Sequence, residues 1–342
     1  MPAAKPTDLT EHSKIHTQKL ELRRVNKLLA ESVDRCTDLK RQLEIHTAIR
    51  AADSKPIRIR PGKRGPKKAT TVVALISDWH TCQIVDAAEV NGLNEHNAEI
   101  GQERGTKYFI DLARCIKHEQ AAYQIDEVVL WLGGDFLQNC HIHDLDSQLT
   151  VGISPQQEAG IVAPLLSGGI QHLLKSLDCR FNVVCNVGNH GRTTYKRLTT
   201  KQTNYSYEQA IYNSLALFFK DERRVRFDVG ESNHKVADIA GFKILFTHGD
   251  EGLKGGGGIG GISVPFRRVI TASWMPTYGV DFVCIGHYHH FVQIAEGMIN
   301  GSLVGWDTYA KSMGLAFGRP QQMMFNVDHE SKRVGGVRPI WG

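Results

Sequence analysis

The chain has 342 residues, 41 Lys+Arg against 36 Asp+Glu, 16 His and 41% apolar residues; that length admits one large domain or two smaller ones. Its longest apolar runs, such as Val128 to Leu132 and Val280 to Ile285, fall far short of the ~18 residues of a membrane span, and the opening MPAAKPTDLTEH lacks the apolar stretch of a secretory leader. Seven cysteines with no C-x-x-C pair argue for free thiols in a reducing cytoplasm, against a disulfide scaffold or a cysteine zinc site.

Residues 10–50 read as one long polar helix without Pro or Gly. Apolar residues recur every seven positions at Ile15, Leu22, Leu29, Cys36 and Leu43, with Val25 and Leu39 three residues after two of them. That is a coiled-coil seam with polar interruptions at Gln18, Ser32 and His46. Self-association, as a homodimer, is the expectation; docking on a partner and a solvated arm are the alternatives. Residues 53–68, DSKPIRIRPGKRGPKK, form a linker in which three prolines and two glycines forbid regular structure. Residues 1–70 together hold 17 basic and 8 acidic side chains, and the remaining 272 hold 24 and 28. A basic arm on a mildly acidic body points to a polyanionic partner, nucleic acid being the expected one.

From Thr71 the pattern changes. Candidate strands at 71–77, 127–132, 181–187, 242–247 and 280–285 alternate with candidate helices near 94–122, 155–177 and 204–220, and 224–229, 234–240, 290–296 and 323–339 read as hairpins or sheet edges. This is an α/β body with buried strands and outer helices. The expected division is an arm over 1–52, a linker over 53–70 and a catalytic domain over 71–342.

Each of the five main strands ends in a polar cluster: Ser77-Asp78-Trp79-His80, Gly133-Gly134-Asp135, Gly188-Asn189-His190, His248-Gly249-Asp250 and Gly286-His287-Tyr288-His289. In open α/β sheets the site lies beyond the carboxyl ends of the strands, so the clusters are expected to converge. Asp78, His80, Asp135, Asn189, His248, His287 and His289 offer oxygen and imidazole donors without thiolate, a mixture suited to Mn²⁺, Fe or Zn²⁺. Seven donors exceed one ion's needs and fit two ions, a pair that activates water and clamps a phosphoryl oxygen. Glycines 134, 188 and 286 allow tight turns beside them. Any one of these short motifs arises by chance; five in order, each after a strand, do not.

Residues 71–305 resemble the calcineurin-like metallophosphoesterases, whose signature runs D-x-H, G-D, G-N-H, H and G-H-x-H. The resemblance implies a double β-sandwich flanked by helices, preceded by the N-terminal helix, and two-metal phosphoester hydrolysis. It implies that Asp78, His80, Asp135 and His289 hold one ion and Asp135, Asn189, His248 and His287 the other, with His190 as the non-ligand catalytic histidine. Two departures stand out. Gly191 replaces the acid that usually follows G-N-H, opening a loop GNHGRTTYKR in which Arg192, Lys196 and Arg197 are candidate phosphate contacts. Gln138 stands where SbcD-like DNA repair nucleases carry a histidine and protein phosphatases an aspartate. That disfavours the phosphatase branch and leaves open what orients His190, with His141, His143, Asp144 and Asp146 as candidates. Trp79, Tyr288 and Phe291 are candidates for stacking bases or for packing the sheet edge, Arg267 and Arg268 for phosphate contacts, and the glycine run 255–261 for a loop near the site. The region after Gly305 is short for an added DNA-recognition domain.

The leading expectation is a two-metal phosphodiesterase on nucleic acid, a DNA nuclease in particular, with Mn²⁺ the favoured ion. The alternatives are a phosphomonoesterase or cyclic-nucleotide phosphodiesterase, and an assembly protein with a structural metal site.

Overall fold

The computed structural model describes residues 8–51, 66–140, 148–251, 261–312, 314 and 316–342. The chain divides into two compact units, Met1–Gly65 and Pro66–Gly342.

In the first unit a single helix, α1 (Asp8–Ala51), runs for 44 residues, about 66 Å at 1.5 Å per residue. Its seam residues Leu22, Val25, Leu29, Leu39 and Leu43 are all more than half exposed. A helix this polar, with its leucines in water, draws little stability from burial.

The second unit holds two sheets among the described residues. In chain order its elements are β1 (Lys68–Ile76), α2 (Ala98–Ala122), β2 (Tyr123–Gln124), β3 (Glu127–Leu132), α3 (Pro155–Ser176), β4 (Arg180–Cys185), α4 (Tyr207–Phe218), β5 (Val225–Asp228), β6 (Lys235–Ile239), β7 (Phe242–Phe246), α5 (Ser263–Val269), α6 (Met275–Tyr278), β8 (Phe282–Ile285), β9 (Val292–Ile294), β10 (Gly297–Ile299), α7 (Thr308–Ser312), β11 (Gln321–Asp328) and β12 (Arg333–Trp341). One sheet has the order β12-β11-β1-β3-β4-β5 with β2 beside β1, and the other β6-β7-β8-β10-β9. β1, β3, β4 and β5 are parallel neighbours, as are β7, β8 and β10, while β11, β12, β6 and β9 pair antiparallel.

Strand alternation builds the layers. In β1, Val72, Ala74 and Ile76 point into a core with Tyr108, Phe109 and Leu112 of α2 and Val162, Leu166 and Ile170 of α3. Val73 and Leu75 point the other way, against Ile244 and Phe246 of β7 and Phe282 of β8. The outer face of the second sheet packs on Phe266, Ile270 and Trp274. A strand buried on both faces has no polar register, which is why β1, β3 and β4 read as continuous apolar runs. The result is the expected αββα sandwich. The sequence reading missed the helical run from Ser263 to Tyr278, whose centre, Ile270–Trp274, is a π-helical turn. No described helix is long and apolar enough to cross a membrane. All seven cysteines are free thiols.

Helices α2, α3 and α4 start at recognisable caps. Asn97 accepts the Glu99 and Ile100 amides ahead of α2, Ser154 and Gln157 form a capping box with Pro155 opening α3, and Ser206 caps α4.

One buried group predicts an acid weakness. His96 is 1% exposed, with Nδ1 facing Arg104 at 2.9 Å and Nε2 facing the His80 carbonyl at 3.3 Å. Arginine only donates, so Nδ1 must accept and the ring is neutral. Burial, then the Arg104 charge, lowers its pKa to about 3. The unfolded chain therefore binds a proton on His96 below about 6.5 that the folded chain refuses, and stability is lost as pH falls through that window. The penalty is on the order of 1.4 kcal/mol per pH unit within it. His96→Gln keeps an acceptor and a donor, so its thermal midpoint should fall less steeply than wild type between pH 6.5 and 4. Parallel profiles would contradict the assignment.

Candidate metal centre

The ends of β1, β3, β4, β7 and β8 bring the seven sequence-predicted donors together. Asp78, His80 and His289 place ligand atoms within 4.8 Å of one another, as do Asp135, His248 and His287. His80, Asp135 and His190 form a third such group between them. Asn189 joins through its Oδ1, 3.3 Å from His248 Nε2. Asp78, His80, Asp135 and His248 are each at most 1% exposed.

The backbone is bent to achieve this. Asp78, His80, Asp135, His287 and His289 adopt left-handed φ values of 56, 39, 55, 69 and 55°. Such residues cost about 1–3 kcal/mol each and concentrate at functional sites. Two glycines let the Asp135 and Asn189 loops cross. A Cβ on Gly134, at φ +87°, would lie 2.1 Å from Gly188 N, and one on Gly188 would lie 2.0 Å from Asp135 Oδ1. Neither contact is sterically possible, so a side chain at either position separates the loops.

Tautomers are fixed from behind. His80 Nδ1 donates to Gln138 Oε1 at 2.7 Å, His248 Nδ1 to the Gly133 carbonyl at 2.8 Å and His190 Nδ1 to the Gln138 carbonyl at 2.8 Å. Each ring thus presents Nε2 toward the centre, as metal-ligating histidines with an outer partner do. Gln138 therefore orients His190, through its main chain, while its side chain serves His80. His141, His143, Asp144 and Asp146 lie outside the described residues. Asp78 is held likewise: Ser77 Oγ donates to its Oδ2 at 2.5 Å, the His287 amide donates to Oδ1 at 2.7 Å, and Asn300 Nδ2 donates to Ser77 Oγ at 3.0 Å. Ser77 was legible only as the first member of its strand-end cluster, without a role, and Asn300 not at all, because it belongs to no spaced motif.

The electrostatics match a cation site. Burial first, then His190 and His289, holds His80 well below its usual pKa, and burial lowers His287 to about 3. Both are neutral, hence ligand-competent. Burial alone would raise Asp135, but His248, His190 and His80 pull it well below the carboxylate range. His248 runs opposite: burial opposes its charge, yet Asp135, 2.9 Å from its Nε2, holds it well above 6.5. A divalent ion held by Asp135 and His248 would take the place of that proton. Two observations test the fit. Asp135 Oδ2 is buried without a hydrogen bond of ordinary geometry, facing His248 Nε2 and, at 3.9 Å, His80 Nε2. His80 Nε2 also faces His289 Nε2 at 3.0 Å, two nitrogens converging on one point. The residues fit divalent ions.

Around the rim, Arg192 donates to the Asn189 carbonyl at 2.5 Å and Lys196 is exposed. Arg197 is matched already, by Asp250 at 2.8 Å and Glu251 at 3.2 Å. Trp79 is enclosed by Tyr108, Phe109 and Phe136 with ring centroids 5.9, 5.9 and 5.4 Å away, so it is core and stacks no base. Tyr288 and Phe291 are half-buried against the packed faces of the second sheet. Arg267 pairs with Glu296 at 2.9 Å, and Arg268 is exposed. Of the glycine run 255–261, only Gly261 is described.

Residues 71–291 match the family model described as calcineurin-like phosphoesterase. The chain belongs to that family. Similar solved structures include a predicted phosphoesterase from Streptococcus pneumoniae (12% identity, 79% of this chain and 97% of that one, TM-score 0.30). Others are a protein of unknown function from Aquifex aeolicus (15% identity, 64% and 80%, TM-score 0.26) and the sulfate thiohydrolase SoxB of Thermus thermophilus in complex with glycerol (10% identity, 81% and 57%, TM-score 0.33). No curated protein matches the chain. This calcineurin-like phosphoesterase is a metal-dependent hydrolase of phosphoesters, and divalent metals are its cofactors.

Proposed function

We propose that this phosphoesterase is a two-metal phosphodiesterase acting on nucleic acid, a DNA nuclease nearest in character to the SbcD-like repair nucleases, working in the cytoplasm with Mn²⁺. The observation that carries the two-metal reading is the pair of three-residue donor groups, Asp78–His80–His289 and Asp135–His248–His287, meeting at Asp135. In this reading Asp78, His80, Asp135 and His289 hold one ion and Asp135, Asn189, His248 and His287 the other. Bound there, the ions lower the pKa of water and offset charge building on phosphorus.

The chain's own residues do the rest. Water adds across the ester: its oxygen bonds to phosphorus, the P–O ester bond breaks, and the departing oxygen takes up a proton. His190 presents Nε2 to that oxygen, because Nδ1 is held by Gln138 and its amide by Asp135 Oδ1 at 2.8 Å. With its Nδ1 proton committed to Gln138, His190 takes up at Nε2 the proton that water gives up and hands it to the departing oxygen. Arg192, hydrogen-bonded to the Asn189 carbonyl, and the exposed Lys196 four residues on bind neighbouring phosphates in this reading. The excess of basic residues in 1–70 supports a long polyanion over a small phosphoester, and α1 pairs two copies through its Leu22–Leu43 seam.

Deleting residues 1–65, which leaves β1 whole, tests the substrate. Hydrolysis of bis-p-nitrophenyl phosphate should survive within about twofold. Cleavage of long DNA should fall about tenfold or more and lose much of its salt dependence, since fewer phosphates are neutralised. Undiminished, equally salt-sensitive DNA cleavage would contradict the nucleic-acid reading and favour a small-substrate esterase.

A further inference from the structure

Two buried glutamates outside the signature blocks grip the metal-bearing loops. Glu208, in the first turn of α4, is fully buried. Its Oε1 accepts the Phe136 amide and its Oε2 the Gly188 amide, both at 2.7 Å. One carboxyl thus ties the residue after Asp135 to the residue before Asn189. Glu158, in the first turn of α3, is also fully buried; its Oε2 accepts the Gln138 amide at 2.7 Å and its Oε1 the Asn139 amide at 2.8 Å. Asn139 in turn donates to the His190 and Arg192 carbonyls at 2.8 and 2.9 Å.

The loop needs such acceptors. Asp135 and Asn139 sit at its two ends with φ of 55 and 60°, so the segment between them continues neither strand nor helix. Its buried amides would otherwise be orphaned, at about 1–3 kcal/mol each. Each glutamate accepts two amides, one on each carboxyl oxygen; a glutamine offers one such oxygen. Glu208 also accounts for Gly191. A Cβ there would lie 2.7 Å from Glu208 Oε2 and 2.8 Å from its Cδ, so the carboxyl arriving from α4 fills the space a side chain after His190 would need.

We propose that Glu208, backed by Glu158, is a positioning residue of the metal centre: it sets the spacing between Asp135 and Asn189 and thereby the affinity of the site for its ions. The proposal rests on the two-metal reading above.

The test is titration of metal-free protein with Mn²⁺ by calorimetry, joined to amide hydrogen exchange. Glu208→Ala should weaken Mn²⁺ binding about 10–100-fold, the range for outer-shell partners of metal ligands, and Glu208→Gln, with one acceptor left, by less. Exchange at Phe136 and Gly188 should accelerate while the β-core amides of Val73 and Val129 keep wild-type protection. At saturating Mn²⁺, kcat on bis-p-nitrophenyl phosphate should fall with KM little changed. If Glu208→Ala does not fold, Glu208→Gln carries the same three readouts. Wild-type affinity in a folded variant, or acceleration spread equally over core amides, would overturn the proposal. Wild-type protein that takes up no Mn²⁺ would overturn the two-metal reading itself.

Discussion

Asp135→Asn should fold, lose most of its bound metal and hydrolyse phosphodiesters ~10³–10⁴-fold more slowly than wild type. The asparagine keeps an oxygen for the His190 amide, which Asp135 Oδ1 accepts at 2.8 Å. What changes is the other atom. Asp135 Oδ2 stands 2.9 Å from His248 Nε2 and 3.9 Å from His80 Nε2, where an amide NH₂ would supply protons in place of a lone pair. The substitution removes the charge that holds His248 as an imidazolium in the metal-free chain and a carboxylate oxygen that would hold a divalent ion. Because the substitution removes one partner of the buried Asp135–His248 pair, the metal-free variant should melt lower than metal-free wild type. Metal content by mass spectrometry, the thermal midpoint and hydrolysis of bis-p-nitrophenyl phosphate read the three effects together. A variant with wild-type metal content and rate would remove Asp135 from the centre.

His190→Gln separates catalysis from metal holding. General acid catalysis is worth about 10²–10⁴-fold, so kcat should fall by that factor while metal content stays at the wild-type level. The reason is local: the His190 ring bonds to the Gln138 carbonyl, and its amide, which the substitution retains, bonds to Asp135. The loss should be smaller on an ester whose leaving group departs without a proton, such as a nitrophenolate, than on DNA, whose departing alkoxide needs one. Equal losses on both would contradict proton donation. Loss of metal alongside activity would make His190 a ligand, a role its grouping with His80 and Asp135 permits.

The sequence showed the centre better than its surroundings. Five polar clusters after five apolar runs marked strand ends, and strands of the two sheets end on a common edge, so Asp78, Asp135, Asn189 and the histidines were legible from order alone. Boundaries moved by a few residues: the strand read over 71–77 is Lys68–Ile76, and the helix read from 94 begins at Ala98. Trp79 looked available for stacking because it lies between two donors. It turns inward because Asp78 and His80 on either side have left-handed backbone, which no period-two pattern anticipates. What orients His190 stayed open because Gln138 matches neither family residue, and the contact is made by its main-chain carbonyl, which residue identity does not encode. Glu158 and Glu208 were invisible for a related reason. Each sits in the first turn of a helix, where an acid is ordinary, and only the approach of α3 and α4 to the Asp135 loop gives it two amides to hold.

The central claim is that two ions act together at Asp135. Metal-free protein titrated with Mn²⁺, with bis-p-nitrophenyl phosphate hydrolysis followed at each addition, tests it most directly. Activity that rises to a plateau at two equivalents per chain is the predicted result. A plateau at one equivalent, or hydrolysis indifferent to added ion, would contradict it.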